Sequence, residues 1–218
     1  LINRSTAGQK YKVFDEKLNY KWVEAKDLKI GDYIVCKHGY SNNTKYLKEE
    51  DIVIDEDMAY FLGFFLADGW IDRDKKNQYY RIGFACRTEK KVPVINKIKN
   101  IIENKFNTEL NIIDKENYYG FRIGKKNINN KIINAFNLAD KKAGNIRIPK
   151  KIFKSNRDVK YSFINGFLDG DGHIKKGRNT TVFSSISKEF ILELNILLFE
   201  MGYSTNYYTT NKNKECNS

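Results

Sequence analysis

The feature that most restricts how this chain can fold is an internal repeat. Phe61-Leu62-Gly63-Phe64-Phe65-Leu66-Ala67-Asp68-Gly69 reads like Ile164-Asn165-Gly166-Phe167-Leu168-Asp169-Gly170-Asp171-Gly172. Gly63, Phe64, Asp68 and Gly69 are matched by Gly166, Phe167, Asp171 and Gly172 at a constant offset of 103 residues. Each copy reads as an apolar helix. The first begins in the acidic patch Asp55-Glu56-Asp57, which suits the positive end of a helix dipole. The second begins near Ser155-Asn156-Arg157-Asp158, close to a capping box. Gly69 and Gly172 stand where left-handed C-cap glycines are expected. Gly63 and Ala67 are four apart, as are Gly166 and Gly170, so each pair shares a helix face. Residues this small let two backbones approach closely, at some loss of helix propensity. The two helices are therefore expected to pack through Gly63, Ala67, Gly166 and Gly170.

Such packing brings Asp68 and Asp171 together at one end. Both carboxylates then sit at helix C-termini, where the dipole disfavours negative charge, and each repels the other. Cations between them relieve both penalties. Ligation by carboxylates, carbonyls and water selects a hard divalent ion, magnesium or manganese. The expected metal positions are Asp68, Asp171, Ala67 and Gly170. A metal held in this way suits in-line hydrolysis of a phosphodiester.

The charge balance agrees. Among 218 residues, 39 are Lys or Arg and 27 are Asp or Glu, a net charge of +12. That favours a polyanionic partner, nucleic acid before membrane. The length allows one large or two small domains. No apolar run approaches a membrane span. Cys36, Cys86 and Cys216 are widely spaced and odd in number, which argues against a disulfide framework or a zinc site. With no signal pattern and no initial Met, the expectation is an intracellular protein, of cytoplasm, nucleus, nucleoid or organelle, whose natural N-terminus lies elsewhere.

The two copies resemble the paired LAGLIDADG (DOD-type) motifs of homing endonucleases, over roughly residues 57–210. Asp68 and Asp171 fall on the motif's last acidic position, which in that family carries the metal-binding catalytic carboxylates. The earlier acidic position, variable in the family, holds Leu66 in the first copy and Asp169 in the second. The resemblance implies a single-chain pseudo-dimer, a monomer that cleaves both strands of a long specific DNA site across the minor groove and leaves short 3′ overhangs. Lys141-Lys142, Arg147 and Lys150-Lys151 surround Ile148-Pro149, a stretch similar to the Lys-x-Ile-Pro of intein endonucleases. Ile146 occupies the usual Lys position, so Lys142 and Arg147 stand as the catalytic candidates there.

A second resemblance lies upstream. Lys21-Trp22-Val23-Glu24-Ala25-Lys26-Asp27-Leu28-Lys29-Ile30-Gly31-Asp32-Tyr33-Ile34-Val35 is similar to a stretch of intein (Hint) splicing domains. Gln9, in Thr6-Ala7-Gly8-Gln9, stands where inteins carry a histidine. With no N-terminal Cys or Ser nucleophile and no terminal His-Asn pair, the chain as it stands is not expected to splice. The expectation is an endonuclease borne by an intein, or descended from one.

The fold class expected is α+β, with two αββαββα-type half-domains joined through the motif helices and antiparallel sheets turned toward DNA. Residues 1–40 hold a partial Hint-like β segment with strands at 21–23 and 33–36. Residues 41–54 read as a polar linker. The half-domains occupy 55–150 and 151–218. In the first, a hairpin with a loop at 72–77 leads to a strand at 79–87. That strand has Tyr80, Ile82, Phe84 and Cys86 on one face and Tyr79, Arg81, Ala85 and Arg87 on the other. A helix at 92–106 carries Ile95, Ile98, Ile102 and Phe106. Strands at 109–114 and 118–124 follow, the latter with Tyr119, Phe121 and Ile123 inward and Tyr118 and Arg122 outward. A helix at 127–136 buries Ile128, Ile132, Ile133 and Phe136. The second half repeats this order, with strands at 173–175 and 181–186, a helix at 188–201 bearing Phe190, Leu194, Leu197 and Leu198, and a strand at 204–209. It has 47 residues after Asp171, where the first half uses 68 after Asp68 to reach Phe136, so it is expected to be truncated.

Arg81, Arg87, Arg122, Lys150, Lys151, Lys175, Lys176 and Arg178 are the candidate DNA contacts. Two other readings stay open: a catalytically silent nucleic-acid binder of the same fold, either an RNA maturase or a DNA-binding regulator, and a fragment of a protein-splicing intein.

Overall fold

The computed structural model describes residues 5–14, 19–35, 45–74, 79–86, 92–115, 118–139, 142–175, 177 and 180–209. They fall into two compact units, one drawn from Leu1–Tyr40 and Leu198–Ser218, the other from Ser41–Leu197. In the first unit β1 (Lys10–Phe14), β2 (Tyr20–Glu24) and β3 (Tyr33–Ile34) form an antiparallel sheet in the order β2-β1-β3. The strand expected at 21–23 is present, and that expected at 33–36 is shortened to Tyr33–Ile34: Val35 lies beyond it and Cys36 lies outside the described residues. β1, which joins them, was not foreseen. Its Val13 is 2 % exposed, while the Lys12 ammonium lies 4.0 Å from the centre of the Tyr20 ring, a cation–π contact.

The second unit opens with a hairpin, β4 (Leu47–Glu49) and β5 (Ile52–Ile54), where a polar linker was expected. The turn is carried by Glu50 at φ 52°, and the sequence lacks the Asn or Gly that usually marks such a turn. Ile52 and Ile54 are almost fully buried, so packing holds the strands.

Next come α1 (Glu56–Asp68), β6 (Gly69–Asp74), β7 (Tyr79–Cys86), α2 (Val92–Phe106), β8 (Leu110–Lys115), β9 (Tyr118–Ile123) and α3 (Lys126–Ala135). The four strands form one antiparallel sheet in the order β6-β7-β9-β8. Residues 72–74, expected in a loop, belong to β6, because Asp72 pairs with Arg81 across the ladder. Opposite charges facing each other in this way support a strand. Ile82, Phe84, Phe121 and Ile123 are buried on the core face. Phe84 is its hub: its ring lies 4.8 Å from Phe121 and 5.6, 5.7 and 5.9 Å from Phe61, Phe64 and Phe65 of α1. The side chains of Tyr79, Ala85, Cys86, Tyr118 and Tyr119 lie outside those described. Ile95, Ile98 and Ile102 of α2 are buried as expected, joined by Ile101, while Phe106 is half-buried. Ile128, Ile132, Ile133 and Phe136 are buried too.

Asn129 is fully buried among them. Its Oδ1 accepts from the Ile82 amide at 2.9 Å, and its Nδ2 donates to the Ile123 carbonyl at 2.9 Å. It thus satisfies main-chain groups of β7 and β9 that would otherwise be buried without partners.

The second half comprises α4 (Lys150–Lys154), α5 (Arg157–Asp171), β10 (Gly172–Ile174), β11 (Thr181–Phe183) and α6 (Lys188–Glu200). The Phe167 ring lies 4.4 Å from Phe190 and 6.3 Å from Phe183. Leu194 and Leu197 are buried, and Leu198 is half-buried. α6 ends with Gly202 at φ 93°, the Tyr203 amide donating to the Leu198 carbonyl at 3.0 Å. This is a Schellman closure. β11 stops at Phe183, short of residue 186, and residues 204–209 form no strand, since no ladder partner meets them among the described residues. Among the described residues no helix is long and apolar enough to cross a membrane.

Candidate active site

Among the described residues, α1 and α5 make the most extensive helix–helix contact of the molecule. Each is started by a side-chain cap: Asp55 Oδ1 accepts from the Met58 amide at 3.0 Å, and Asn156 Oδ1 from the Val159 amide at 2.9 Å. Both donors satisfied are first-turn amides that a helix leaves unpaired. The contact itself is backbone on backbone. A Cβ at Gly63 would run into the Phe163 carbonyl oxygen and lie 2.9 Å from the Phe167 nitrogen. A Cβ at Gly166 would run into the Tyr60 carbonyl oxygen and lie 3.0 Å from the Phe64 nitrogen. Residues 60, 63 and 64 map onto 163, 166 and 167 by the repeat offset, so the contact is reciprocal, as about a local two-fold axis. Ala67 and Gly170 are also related by that offset, and they meet each other: a Cβ at Gly170 would collide with that of Ala67. The axis therefore passes between them.

Asp68 and Asp171, one residue further on, flank this axis. Asp68 Oδ2 lies 3.6 Å from where a Gly170 Cβ would stand. Asp68 is half-buried and Asp171 exposed. Both helices run straight into a strand at this point. Gly69 (φ −87°, ψ 152°) and Gly172 (φ −99°, ψ 164°) are extended, not left-handed as expected. Glycine is required there for space: a Cβ would lie 2.6 Å from the Phe65 carbonyl oxygen at Gly69 and 2.8 Å from that of Leu168 at Gly172.

Among the described residues no group of three or more His, Cys, Asp or Glu is gathered as a metal cluster. A cation on the axis would draw on two carboxylates and fill its shell with main-chain carbonyls and water, the donor set of a hard ion. The residues present fit such an ion: Asp68 lies beside the contact at the C-terminus of α1, and Asp171, its equivalent by the repeat offset, ends α5, so each carboxylate stands at the negative end of its helix.

A polar tie not foreseen from the sequence crosses the same contact. The Tyr60 hydroxyl donates to Asp169 Oδ2 at 2.6 Å, and the Lys97 ammonium lies 3.5 Å from the centre of the Tyr60 ring. Tyr60 is 2 % exposed. Burial, and then the Asp169 carboxylate, push its phenol well above the ordinary value. The symmetry-related positions are Phe163 and Leu66, both apolar, so the two halves of the contact differ here.

The basic candidates are scattered. Lys142 is exposed, its amide bonded to Asn145 Oδ1 at 2.7 Å. Arg147 is held by α6: its Nη2 lies 2.6 Å from Glu193 Oε1, and Glu193 Oε2 accepts from the Ile148 amide at 2.8 Å. Glu193 also keeps the guanidinium pKa raised. Lys151 donates to the Lys48 carbonyl at 2.8 Å and pairs with Glu49 at 3.4 Å, so it ties α4 to the β4–β5 hairpin. Lys150 and Lys175 are exposed, the latter at the end of β10. Arg81 and Arg122 lie on the sheet face opposite Phe84, and Arg122 Nη2 contacts Asp72 Oδ2 at 3.2 Å. Arg87, Lys141, Lys176 and Arg178 lie outside the described residues.

Residues 158–218 match a protein family described as LAGLIDADG-like domain. The chain is 30 % identical to the probable translation initiation factor IF-2 of Methanocaldococcus jannaschii, over 70 % of this chain and 12 % of that protein. It is 29 % identical to the replication factor C small subunit of the same organism, over 84 % of this chain and 9 % of that protein. A DNA polymerase of Thermococcus aggregans is 26 % identical over 74 % of this chain and 9 % of its own length. The chain thus spans only a small part of these relatives. In structure it is similar to I-DmoI in complex with DNA and Mn, with a TM-score of 0.56 and 16 % identity over 73 % of this chain and 85 % of that one. It is also similar to a single-residue variant of I-DmoI in complex with its target DNA in the presence of Mg, with a TM-score of 0.52 and 17 % identity over 68 % and 79 % of the two chains. Residues 158–218 are thus similar to the LAGLIDADG-like domain family, and the mixed α+β fold resembles the two-domain fold of LAGLIDADG homing endonucleases.

Proposed function

We propose that this chain is a site-specific double-stranded DNA endonuclease of the LAGLIDADG type, using magnesium or manganese held between Asp68 and Asp171. The observation that carries the reading is the meeting of Ala67 with Gly170; in this reading Asp68 and Asp171, the next residue of each helix, stand on either side of the local two-fold axis. Two strands of opposite polarity need two attacks related by such an axis, and one chain with both motifs supplies it as a monomer. The net charge of +12 and the likeness to DNA-bound I-DmoI support a duplex substrate.

A divalent ion bound there would supply activation of water and neutralisation of phosphate charge. Asp68 and Asp171 would hold it, with the carbonyls of Ala67 and Gly170 as further oxygen donors. The glycine contact fixes the spacing of the carboxylates, because neither backbone can move closer. We assign the basic role to Lys142 ahead of Arg147, whose guanidinium is already bound by Glu193. Arg81, Arg122, Lys150 and Lys175 contact DNA in this reading, with Arg87, Lys176 and Arg178 completing the set. Lys151 serves the fold.

The test is cleavage of a randomised duplex library in magnesium. The wild type should enrich one long site and cut both strands. Asp68→Asn and Asp171→Asn should each slow cutting about a hundredfold or more, since charge stabilisation by a metal is worth several kcal/mol. Both variants should still retain the site on a filter. Binding without cutting by the wild type would favour the silent binder instead. Equal cutting by wild type and Asp68→Asn would end the proposal.

One observation favours an intein-borne origin. A probable translation initiation factor, a replication factor C small subunit and a DNA polymerase are differently named proteins, yet each matches this chain over 12 % or less of its length. A segment common to such hosts is best explained as an insert, and the β1–β3 sheet is then the trace of its Hint part. Sequencing the surrounding gene should reveal host coding sequence on both sides; an uninterrupted short gene would refute it.

A further inference from the structure

The face of the four-stranded sheet opposite Phe84 contains a cluster around Arg122 that the endonuclease reading uses only as a DNA contact of unstated kind. Trp70, Gly83, Arg122 and Asn111 form one row across β6, β7, β9 and β8. Gly83 supplies no side chain to that row. The Trp70 indole lies over it instead, so that a Cβ there would stand 2.6 Å from Trp70 Cε2. With the space above β7 kept low, β6 and β9 can exchange a charge contact across the intervening strand. Asp72 Oδ2 accepts from Trp70 Nε1 at 3.2 Å and from Arg122 Nη2 at 3.2 Å. The Arg122 side chain is 36 % exposed and that of Asp72 is 48 % exposed. Arg122 Nε is buried and has no hydrogen-bond partner among the described residues. The guanidinium is thus clamped from one edge while part of it faces outward.

A phosphate contact needs only charge and tolerates a mobile side chain. A clamped guanidinium with donors to spare matches a base edge that takes two parallel hydrogen bonds, and among major-groove edges that is guanine, through O6 and N7. We infer that Arg122 is a specificity-determining residue that reads one guanine of the DNA target, and that Asp72 and Trp70 are its positioning residues. This rests on the endonuclease reading above.

The experiment is selection of duplexes from the randomised library by the full chain, wild type against Arg122→Lys, Asp72→Asn and Trp70→Phe, with the melting temperature of each protein recorded. The wild type should show a guanine preference at one position of the site that Arg122→Lys lowers about ten- to hundredfold, a loss typical of one bidentate contact. Affinity for the selected site should fall by that same factor, while affinity for unrelated duplex and the salt dependence should hold, because the charge is kept. Asp72→Asn and Trp70→Phe should weaken the preference at that same position and at no other. If Arg122→Lys leaves every position unchanged, or if Asp72→Asn and Trp70→Phe lower only the melting temperature, the assignment falls while the endonuclease reading stands. If the wild type selects no duplex at all, the endonuclease reading fails and the assignment with it.

Discussion

Tyr60 and Asp169 are separated by 109 residues, yet one hydrogen bond between them joins the two motif helices. Tyr60→Phe removes the bond and leaves the ring under Lys97 in place. It should lower stability by about 1–2 kcal/mol at neutral pH, toward the low end because the exposed Asp169 is rehydrated. Urea denaturation measures this. The phenol has a raised pKa, so its contribution is complete below its ordinary value of 10.0 and is lost as pH rises beyond it. Stability curves of wild type and Tyr60→Phe should therefore converge above about pH 10; a constant gap would contradict the burial argument. The repeat did carry a trace of this tie. Residues 60 and 163, and 66 and 169, are among the pairs in which one copy is polar and the other apolar, as are Leu62 and Asn165. Their partnership was not legible, because nothing in a linear sequence says which distant groups meet. The same holds for Asn129, which occupies a helical stripe of isoleucines, and for Glu193, which binds Arg147 from a helix otherwise read only for Phe190 and its leucines.

At the scale of elements, periodicity was the reliable guide. The motif helices, α2, α3, α6 and the strand pairs of the first half stand close to where alternating and helical patterns placed them. Misreadings came where local chemistry was unmarked. Residues 47–54 looked polar because only Ile52 and Ile54 turn inward, and Gly69 and Gly172 looked like left-handed caps because steric exclusion and positive φ both select glycine. The helix contact gives a prediction of its own. Gly63→Ala gains about 1 kcal/mol of helix propensity but drives a methyl into a carbonyl that cannot rotate away. The net effect should be a loss of about 1–3 kcal/mol. Gly8→Ala, where nothing lies within 4 Å of a new Cβ, should stay within about 0.5 kcal/mol of wild type. Thermal or urea unfolding separates the two; a neutral Gly63→Ala would mean that the helices are less closely packed than the structure has them.

For the whole molecule, the net charge of +12 makes a prediction independent of which arginine reads which base. If the chain neutralises about 6–10 phosphates, its affinity for duplex DNA should fall about 10³- to 10⁵-fold between roughly 50 and 200 mM salt. Filter binding over a salt series checks this, and a flat response would argue against a phosphate-dominated interface. At this scale the division between sequence and structure is clear. The order of the residues alone settled that there are two related halves, which faces of their helices and strands are apolar, and that two Asp-Gly ends are equivalent, because repeats and periodicity are local, countable properties. Only the folded chain decided that Ala67 and Gly170 touch on a shared axis, that Tyr60 binds Asp169, and that Asp72 and Trp70 hold Arg122 across a bare Gly83. Those contacts depend on how separately formed elements dock, and docking is fixed by the fit of whole surfaces rather than by any neighbouring pair of residues.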